Sequence, residues 1–497
     1  MIRGGPAGEP GGAVSVDRIQ RTGYPGVRFA SLFCPLIPEP RVPCPALGET
    51  SLFWRRVDTG LAGGAPKPGG APQEPAGNHV RARRSGNMGK RIGFHLTVAV
   101  AAAAALVLAA GSSWAGESAC MECHRKVTPN IVKDFLSGEM GKAGIDCSNC
   151  HGSEHTSADD VAKVKLPTEK TCAQCHQEKH DEYMAGKHAA GWIAMAAMPK
   201  TGFQPHAYIQ GLKGCGGCHK VGVRDESVRA ESRYGSPCDS CHTRHKFSKA
   251  EAQRPEACRT CHMGFDHPQW EMWSSSKHGV IYLTEGDTGR APKCQTCHME
   301  NGNHKVMTAW GFLALRLPED DKEWMNYRLT ILKGLHVLDP DGKPTARLDV
   351  VKAGKVARLT KEEWQAERDR MLNVCTKCHS RSYAETNLKN ADAMIKEADK
   401  LMAEAIEIVA DLYKRGIIEP EPGKPAYPDL LTFYEARTPI EQTLYVMFLE
   451  HRMRAFQGAF HMNPDYVTWY GLAEMKKDLV EIKQEAKRMI REAARHN

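Results

Sequence analysis

The sequence predicts a mainly α-helical protein with little sheet, in which an array of cysteine–histidine motifs is followed by a bundle of long C-terminal helices. Three observations predict this fold class. The segment Cys-x-x-Cys-His occurs eight times. The loops between the first seven segments are short and contain Gly, Pro and Ser. After the eighth segment, apolar residues recur every three or four positions over long stretches, which indicates amphipathic helices.

Each Cys-x-x-Cys-His segment is an attachment signature for c-type haem. Its two cysteines form thioethers with the porphyrin, and its histidine is the proximal ligand of the iron. Zinc sites also use Cys-x-x-Cys, but they pair two such hooks per metal and need no histidine after the second cysteine. The sequence therefore predicts eight covalently bound haems c, numbered 1 to 8 in chain order. The segments are Cys120/Cys123/His124, Cys147/Cys150/His151, Cys172/Cys175/His176, Cys215/Cys218/His219, Cys238/Cys241/His242, Cys258/Cys261/His262, Cys294/Cys297/His298 and Cys375/Cys378/His379.

The N-terminal region carries the signs of an export signal. From Met88 the chain reads MGKRIGFHLTVAVAAAAALVLAAGSSWAGE, a basic start followed by an apolar run and small residues before Ala115. This is the layout of a cleavable secretory signal. We therefore expect residues 88–115 to be a signal peptide that directs the protein to the periplasm, and residues 1–87 to precede the true start. The alternative is a disordered leader before an uncleaved anchor helix.

The net charge of +8 originates almost wholly in this N-terminal region. Residues 1–115 carry thirteen Lys/Arg and six Asp/Glu, so seven of the eight excess positive charges lie there. The remainder is near neutral, and each haem adds two propionates, so we expect an acidic holoprotein and no nucleic-acid partner. No other apolar run approaches about 18 residues, so we expect no transmembrane anchor in the mature chain.

Four regions follow the signal. Residues 116–304 form a seven-haem domain, 305–374 a connecting segment with the turn-rich stretch LDPDGKPTARL, 375–379 the eighth haem motif and 380–497 a C-terminal helical domain. Because seven motifs crowd into fewer than 200 residues, we expect the haems themselves to form much of the apolar interior there. In the last region, periodicity predicts long helices over residues 388–412, 438–460 and 472–494.

The second axial ligand of each iron decides what the haem can do. Electron-transfer haems fill this position with another histidine, whereas a catalytic haem leaves it open to substrate. Twelve histidines of residues 116–497 lie outside the motifs, enough for either seven or eight distal ligands. Position after a motif or beside an apolar helix face favours seven of them. These are His155, His188, His245, His278, His304, His451 and His461.

His267 differs from these candidates. Pro268 disfavours a helical backbone at the preceding residue, so His267 is expected in an extended loop beside Asp266. A carboxylate and an imidazole together over an open haem face could accept protons from a bound substrate. The alternative is a surface Asp-His turn without a catalytic role.

The whole pattern resembles the octahaem hydroxylamine oxidoreductases, also called hydroxylamine dehydrogenases. The resemblance rests on the order of the eight motifs and on three stretches of sequence. The stretches are GCGGCHK at residues 214–220, CHMGFDHPQWEMWSSSKHG at 261–279 and AFHMNPDYVTWYG at 459–471. In that family haem 4 is catalytic and open, so the resemblance implies that Cys215, Cys218 and His219 hold the active haem. It also implies that Asp266 and His267 accept protons and that His278 is a distal ligand.

Oxidising members of that family carry a tyrosine from a neighbouring subunit bonded to the catalytic porphyrin, and nitrite-reducing members lack it. Here Asn463 can cap a helix with Pro464 at its first position, which places Tyr466 and Tyr470 on one face. We expect Tyr466 to form the cross-link, with Tyr470 as the alternative; otherwise both are packing aromatics. The resemblance thus implies a homotrimer that oxidises hydroxylamine, a small nitrogenous substrate, and passes electrons to a cytochrome or a quinone-reducing module. Hydrazine oxidation, nitrite or hydroxylamine reduction to ammonia, and electron transfer without catalysis remain open.

Overall fold

Helices account for the regular structure of the described residues. The computed structural model describes residues 118–198, 200–201, 204–209, 213–225, 235–265, 267–306, 317–353 and 360–496. The predicted signal peptide and residues 1–117 as a whole lie outside this set. Within the set there is no β-strand, and a single isolated β-bridge joins Leu338 and Pro344. The predicted mainly α fold class is confirmed.

The haem-motif segment is built from short helices. The α-helices here are α1 Ala119–Val127, α2 Pro129–Ser137, α3 Glu139–Lys142, α4 Ser148–His151, α5 Glu169–Ala185, α6 His206–Ile209, α7 Gly216–His219, α8 Lys249–Ala252, α9 Glu256–Arg259, α10 Gln269–Ser274, α11 Lys277–Glu285 and α12 Cys294–His298. Short 3₁₀ helices lie at Ala158–Lys163, Ile193–Ala197, Pro237–Ser240 and Glu300–Gly302. The motif histidines terminate α4, α7 and α12, so local chain direction fixes where each proximal ring lies.

Longer helices follow. They are α13 Lys322–Gly334, α14 Ala346–Ala353, α15 Lys361–Cys375, α16 Arg381–Lys414, α17 Pro439–Val446, the π-helix π1 Met447–Arg452, α18 Met453–Phe460, the π-helix π2 Tyr466–Leu472 and α19 Ala473–His496. The three long helices expected in this region are present. The middle one is interrupted by π1, which the apolar periodicity did not indicate. Among the described residues, we find no helix with both the length and the apolarity that crossing a membrane requires.

The side-chain core lies among the long helices. Ala398, Met402 and Ile406 on α16 are completely buried and pack with residues of α13, α17 and α19. The three clusters of buried hydrophobic residues in the described structure contain no member before Trp324. This distribution agrees with the expectation that the motif-bearing segment depends on its haems for an apolar interior.

A buried ionic cluster ties α13, α16 and π1 together. The Asp399 carboxylate accepts hydrogen bonds from Trp324 Nε1 at 2.7 Å and from Arg452 Nη2 at 2.7 Å, and Arg328 Nε lies 2.6 Å from it. Asp399 and Arg452 are completely buried. Because a charge buried without its counterion is very costly, this cluster fixes how the three helices meet.

Candidate haem sites

Six of the eight motif histidines face a second histidine ring. The pairs, with the distances between ring centroids, are His124–His155 at 6.2 Å, His151–His245 at 6.2 Å, His262–His188 at 6.0 Å, His242–His304 at 6.2 Å, His298–His461 at 6.4 Å and His379–His278 at 6.1 Å.

These separations fit an iron held between two imidazoles. A metal–nitrogen bond of about 2 Å on each side places the two ring centroids roughly 6.3 Å apart. The residues present therefore fit bis-histidine haems at motifs 1, 2, 5, 6, 7 and 8. Six of the seven histidines predicted as distal ligands occupy such positions.

His451 is the exception among those candidates. It lies in π1, and its Nδ1 is 2.5 Å from Oδ2 of the buried Asp478 on α19. His451 does not belong to the six ring pairs. Because the contact with Asp478 is made by Nδ1 and leaves Nε2 for a metal, its assignment as an iron ligand stays a prediction.

His176 of the third motif does not belong to the six ring pairs either. It is exposed, and its backbone, with φ −120° and ψ 46°, interrupts the helical winding of α5. Burial lowers the pKa of His242 in the fifth motif, and the nearby His304 and His176 add to the effect. Within the described ranges, then, the structure does not bring a distal histidine to His176. Its role as an iron ligand, which the motif predicts, stays a prediction.

Several motif residues are exposed on the polypeptide. The exposed ones are Cys123, Cys175, His176, Cys218, Cys241, Cys378 and His379. Each is the second cysteine or the histidine of its motif. These are the positions over which a covalently attached porphyrin lies, so the haem rather than other side chains would cover them. Cys175 and Cys378 are therefore exposed because no other side chain of the described residues packs over them. Haem attachment at both cysteines stays a prediction from the motif.

Hydrogen bonds at Nδ1 fix the orientation of several paired rings. His124 Nδ1 lies 2.8 Å from Thr128 Oγ1, and His151 Nδ1 lies 3.1 Å from the carbonyl oxygen of Lys165. His304 and His461 make equivalent bonds to the carbonyl oxygens of Gly302 and Gln457. Donation from Nδ1 leaves Nε2 with its lone pair available to a metal. The three contacts to carbonyl oxygens therefore select the tautomer that binds iron.

Burial keeps several of these rings neutral. It lowers the pKa of His262 to about 3, and the neighbouring His188 and His267 add to the effect. Burial likewise lowers the pKa values of His188 and His461. A neutral imidazole is the form that binds a metal, so these sites need not release a proton to do so at neutral pH.

The motif for haem 4 lies next to that for haem 6. Cys218 Sγ is within hydrogen-bonding distance of Cys261 Sγ, and His219 Nδ1 lies 2.6 Å from the carbonyl oxygen of Gly191. Two further contacts link motif cysteines, Cys172 with Cys238 and Cys258 with Cys294. Because each of these cysteines is a predicted attachment point for a haem, a contact between two of them places the two haems next to each other. These contacts link motif 4 to 6, 6 to 7 and 3 to 5.

The predicted proton-accepting pair is described only in part. Asp266 lies outside the described residues. The His267 ring centroid is 6.5 Å from that of His262, with the two rings steeply inclined at 64°, and the His267 carbonyl accepts from Gln269 N at the start of α10. His267 therefore lies against the haem 6 motif, which in turn contacts the haem 4 motif. Its catalytic role stays a prediction.

Tyr466 and Tyr470 lie side by side on π2. Their ring centroids are 4.9 Å apart, and Tyr470 is half exposed. Asn463 Oδ1 accepts from the backbone amides of Asp465 and Tyr466, the cap predicted from the sequence. The predicted common face is present, although the segment is wound as a π-helix rather than an α-helix. π-helical turns are frequent at functional sites.

Contacts that the sequence did not indicate join π2 to the haem 6 region. The buried Asn463 donates from Nδ2 to the carbonyl oxygen of Met272 at 2.7 Å and to Ser275 Oγ at 2.8 Å. Gln269 Nε2 donates to Gln457 Oε1 at 3.0 Å. No local pattern could have predicted these bonds, because each joins residues about 190 positions apart.

A known family matches more than half of the chain. The family described as "Seven times multi-haem cytochrome CxxCH" matches residues 116–330 and 345–424.

Two curated relatives place the chain among multihaem redox proteins. A "Probable nitrite reductase-hydroxylamine oxidoreductase fusion protein" of Kuenenia stuttgartiensis is 28% identical over 473 residues, which cover 75% of this chain and 51% of that protein. The C-type polyheme cytochrome OmcB of Geobacter sulfurreducens is 23% identical over 165 residues, 31% of this chain and 20% of that one. The chain thus spans about half the length of the first relative and a fifth of the second.

Two solved structures share the fold. A reducing HAO-like protein complex of Kuenenia stuttgartiensis aligns with a TM-score of 0.58 and 24% identity, covering 76% of this chain and 86% of that chain. A "Hypothetical multiheme protein" aligns with a TM-score of 0.57 and 20% identity, covering 82% of this chain and 100% of that one. The resemblance to hydroxylamine oxidoreductases inferred from the sequence is confirmed at the level of family and fold.

Proposed function

Because the chain belongs to the multihaem cytochromes with Cys-x-x-Cys-His motifs, we propose that it is a periplasmic octahaem enzyme that oxidises hydroxylamine to nitric oxide or nitrite. One haem c is attached at each of the eight motifs. The haem at Cys215 and Cys218 supplies the position where the substrate nitrogen binds and gives up electrons.

The protein's own residues have three tasks in this proposal. The six histidine pairs would hold irons from both sides and keep substrate away from them, so that these haems would supply electron transfer alone. His267, with Asp266, accepts protons from the substrate, since oxidation to nitric oxide releases three protons with three electrons. The contacts between motif cysteines would hold neighbouring haems close to each other, as electron transfer requires.

The observation that carries the oxidative direction is the tyrosine pair on π2. Tyr470 is half exposed, and Tyr466 beside it is partly exposed. A partner subunit can therefore approach this face. In the family that the sequence resembles, such a tyrosine distinguishes oxidising members from nitrite-reducing ones. We propose that Tyr466 forms this cross-link within a homotrimer.

A second candidate is the reduction of nitrite to ammonia. The names of two similar proteins favour it, one a nitrite reductase–hydroxylamine oxidoreductase fusion and the other a reducing HAO-like complex. The same haem and the same proton relay would then work in the opposite direction, with electrons entering from a donor cytochrome. Oxidation of hydrazine uses the oxidative machinery unchanged.

Steady-state assays on the haem-loaded protein separate these functions. We expect hydroxylamine to reduce a cytochrome or dye acceptor, with nitric oxide or nitrite as product. Consumption of nitrite by the dye-reduced protein, without hydroxylamine oxidation, would establish the reductive alternative. Turnover of hydrazine alone would identify a hydrazine dehydrogenase. A protein that turns over none of the three substrates would be an electron-transfer cytochrome.

A further inference from the structure

A carboxylate contacts the distal histidine of haem 1. Asp160 Oδ1 lies 2.8 Å from His155 Nδ1. The two side chains are only 15% and 24% exposed, so solvent screens the contact weakly. The His155 ring faces His124, the proximal histidine of the first motif, with 6.2 Å between centroids.

The fold holds this carboxylate in place independently of His155. The Asp160 side chain accepts hydrogen bonds from the backbone amides of Thr156 and Ser157 and from Thr156 Oγ1. Asp160 and Ser157 form the capping box at the start of the 3₁₀ helix Ala158–Lys163. These donors orient the Asp160 carboxylate, so that Oδ1 is in place to accept a hydrogen bond from His155 Nδ1.

The hydrogen bonds recorded at Nδ1 of the other paired histidines go to neutral acceptors. His124, His151, His304 and His461 are oriented by a threonine hydroxyl or by backbone carbonyl oxygens. The Glu182 carboxylate approaches His304 Nδ1 only to 3.6 Å, beyond the bond to Gly302. The charged contact at His155 thus differs in kind from these four.

We infer that Asp160 is a positioning residue that strengthens His155 as an electron donor and lowers the reduction potential of haem 1 relative to the value it would have with a neutral acceptor at His155. A hydrogen bond to a carboxylate is about twice as strong as one to a neutral acceptor, and it raises the basicity of a ligating imidazole. A more basic axial ligand stabilises ferric over ferrous iron. The inference rests on the proposed function only in that a haem attached at Cys120 and Cys123 is bound by His124 and His155.

Cys120 lies within electrostatic range of Cys147 in the second motif, so haem 1 would adjoin haem 2 at the N-terminal end of the array. A lower potential of haem 1 would disfavour the arrival of electrons at this end.

Asp160→Asn tests the inference. The amide oxygen of asparagine can still accept the backbone hydrogen bonds from Thr156 and Ser157, so the substitution removes the charge and keeps the turn. The matched control is Asp159→Asn, which removes the same charge from the exposed neighbouring position. Each holoprotein is titrated electrochemically while the α-band absorbance is followed, after its haem content has been verified.

We expect one step of the titration to move to higher potential in Asp160→Asn and every step to stay in place in Asp159→Asn. Overlapping curves for wild type and Asp160→Asn, or equal shifts in both variants, would overturn the inference. Near-infrared magnetic circular dichroism gives an independent test. The ligand-to-metal band of one bis-histidine haem should move to longer wavelength in Asp160→Asn alone, and identical spectra of wild type and Asp160→Asn would contradict the inference. Neither readout depends on turnover of hydroxylamine.

Discussion

A histidine held by one hydrogen bond at Nδ1 and facing a second ring is the recurring unit of the site. His278 and His267 lie eleven positions apart in one stretch of sequence, yet the structure treats them differently. His278 faces the motif histidine His379 at 6.1 Å, whereas His267 lies 6.5 Å from His262, a motif histidine that already faces His188 at 6.0 Å. This difference supports one ligand and one proton acceptor.

Substitution of each residue by alanine distinguishes the two roles. We expect His267→Ala to lower the rate of hydroxylamine oxidation by about 10² to 10⁴, the usual contribution of a general base, with the haem spectrum intact. His278→Ala should instead convert a low-spin haem to a high-spin one. Optical and electron paramagnetic resonance spectra, together with initial rates, test both variants. Equal spectral damage in the two variants would mean that His267 is an iron ligand.

At the scale of single residues, the sequence predicts which side chains bind haem better than it predicts which other side chains they contact. The motif spacing predicts every thioether position, and proximity to a motif suffices to select His155, His188, His245, His278 and His304. It fails to find Asp160, because a carboxylate five residues after a histidine is an ordinary loop feature. It also fails to find Asp478, 27 residues after His451, whose carboxylate contacts Nδ1 of that ring.

The third motif shows where proximity along the chain stops being informative. The spacing of Cys172, Cys175 and His176 predicts a haem as strongly as any other motif does, yet the six ring pairs do not include His176. A distal ligand can come from any part of a fold, so a motif alone cannot say which histidine reaches its iron.

The π-helices are the elements that periodicity could not resolve. A π-turn adds one residue, so apolar spacing on either side remains helical and the prediction of one continuous helix over 438–460 is nearly satisfied. The π-helical winding of π2 is seen only in the structure, where π2 packs closely against α18. A Cβ added at Gly458 would lie 2.9 Å from Tyr466 Cβ. The absence of a side chain at this glycine lets π2 lie close to α18.

The ionic cluster at Asp399 stabilises the helical domain. Replacing Asp399 by asparagine would leave Arg328 and Arg452 buried without their counterion, so we expect the free energy of unfolding to fall by about 3–5 kcal/mol. The matched control is Glu404→Gln, also on α16, which breaks a half-exposed ion pair with Lys483 of α19. That change should cost no more than about 1 kcal/mol. Denaturant midpoints followed by far-ultraviolet circular dichroism measure both. Equal midpoints in the two variants would contradict a stabilising role for the cluster.

On the scale of the whole molecule, the chain forms two kinds of interior. The long helices pack a conventional core, while the motif segment supplies histidine pairs spaced for haems. The sequence predicts this division because motif density and apolar periodicity change at the eighth motif. It does not predict how the two parts meet, since contacts such as Asn463 with Met272 depend on the completed fold.

The proposed maturation has a direct consequence for mass. Protein purified from its native source should have the mass of residues 116–497 plus eight haems, less the hydrogens lost in any cross-link. Intact-mass spectrometry and a pyridine haemochrome assay check the chain length and the haem count separately. A mass that includes Cys34 and Cys44 would contradict removal of the N-terminal region, and fewer than eight haems would contradict attachment at every motif.

The direction of the chemistry is the central claim, and the tyrosine cross-link tests it most directly. A covalent bond between Tyr466 and the haem 4 of a neighbouring subunit would join subunits through haem. A denaturing gel of the purified protein, boiled with thiol reductant and stained for haem, should therefore show an oligomer of trimer size. Tyr466→Phe should abolish that band, with Tyr470→Phe as the matched control that retains it. Loss of the band in Tyr470→Phe alone would transfer the cross-link to Tyr470 and leave the oxidative function in place. A wild-type protein that runs wholly as a monomer would contradict hydroxylamine oxidation by this route and favour nitrite reduction.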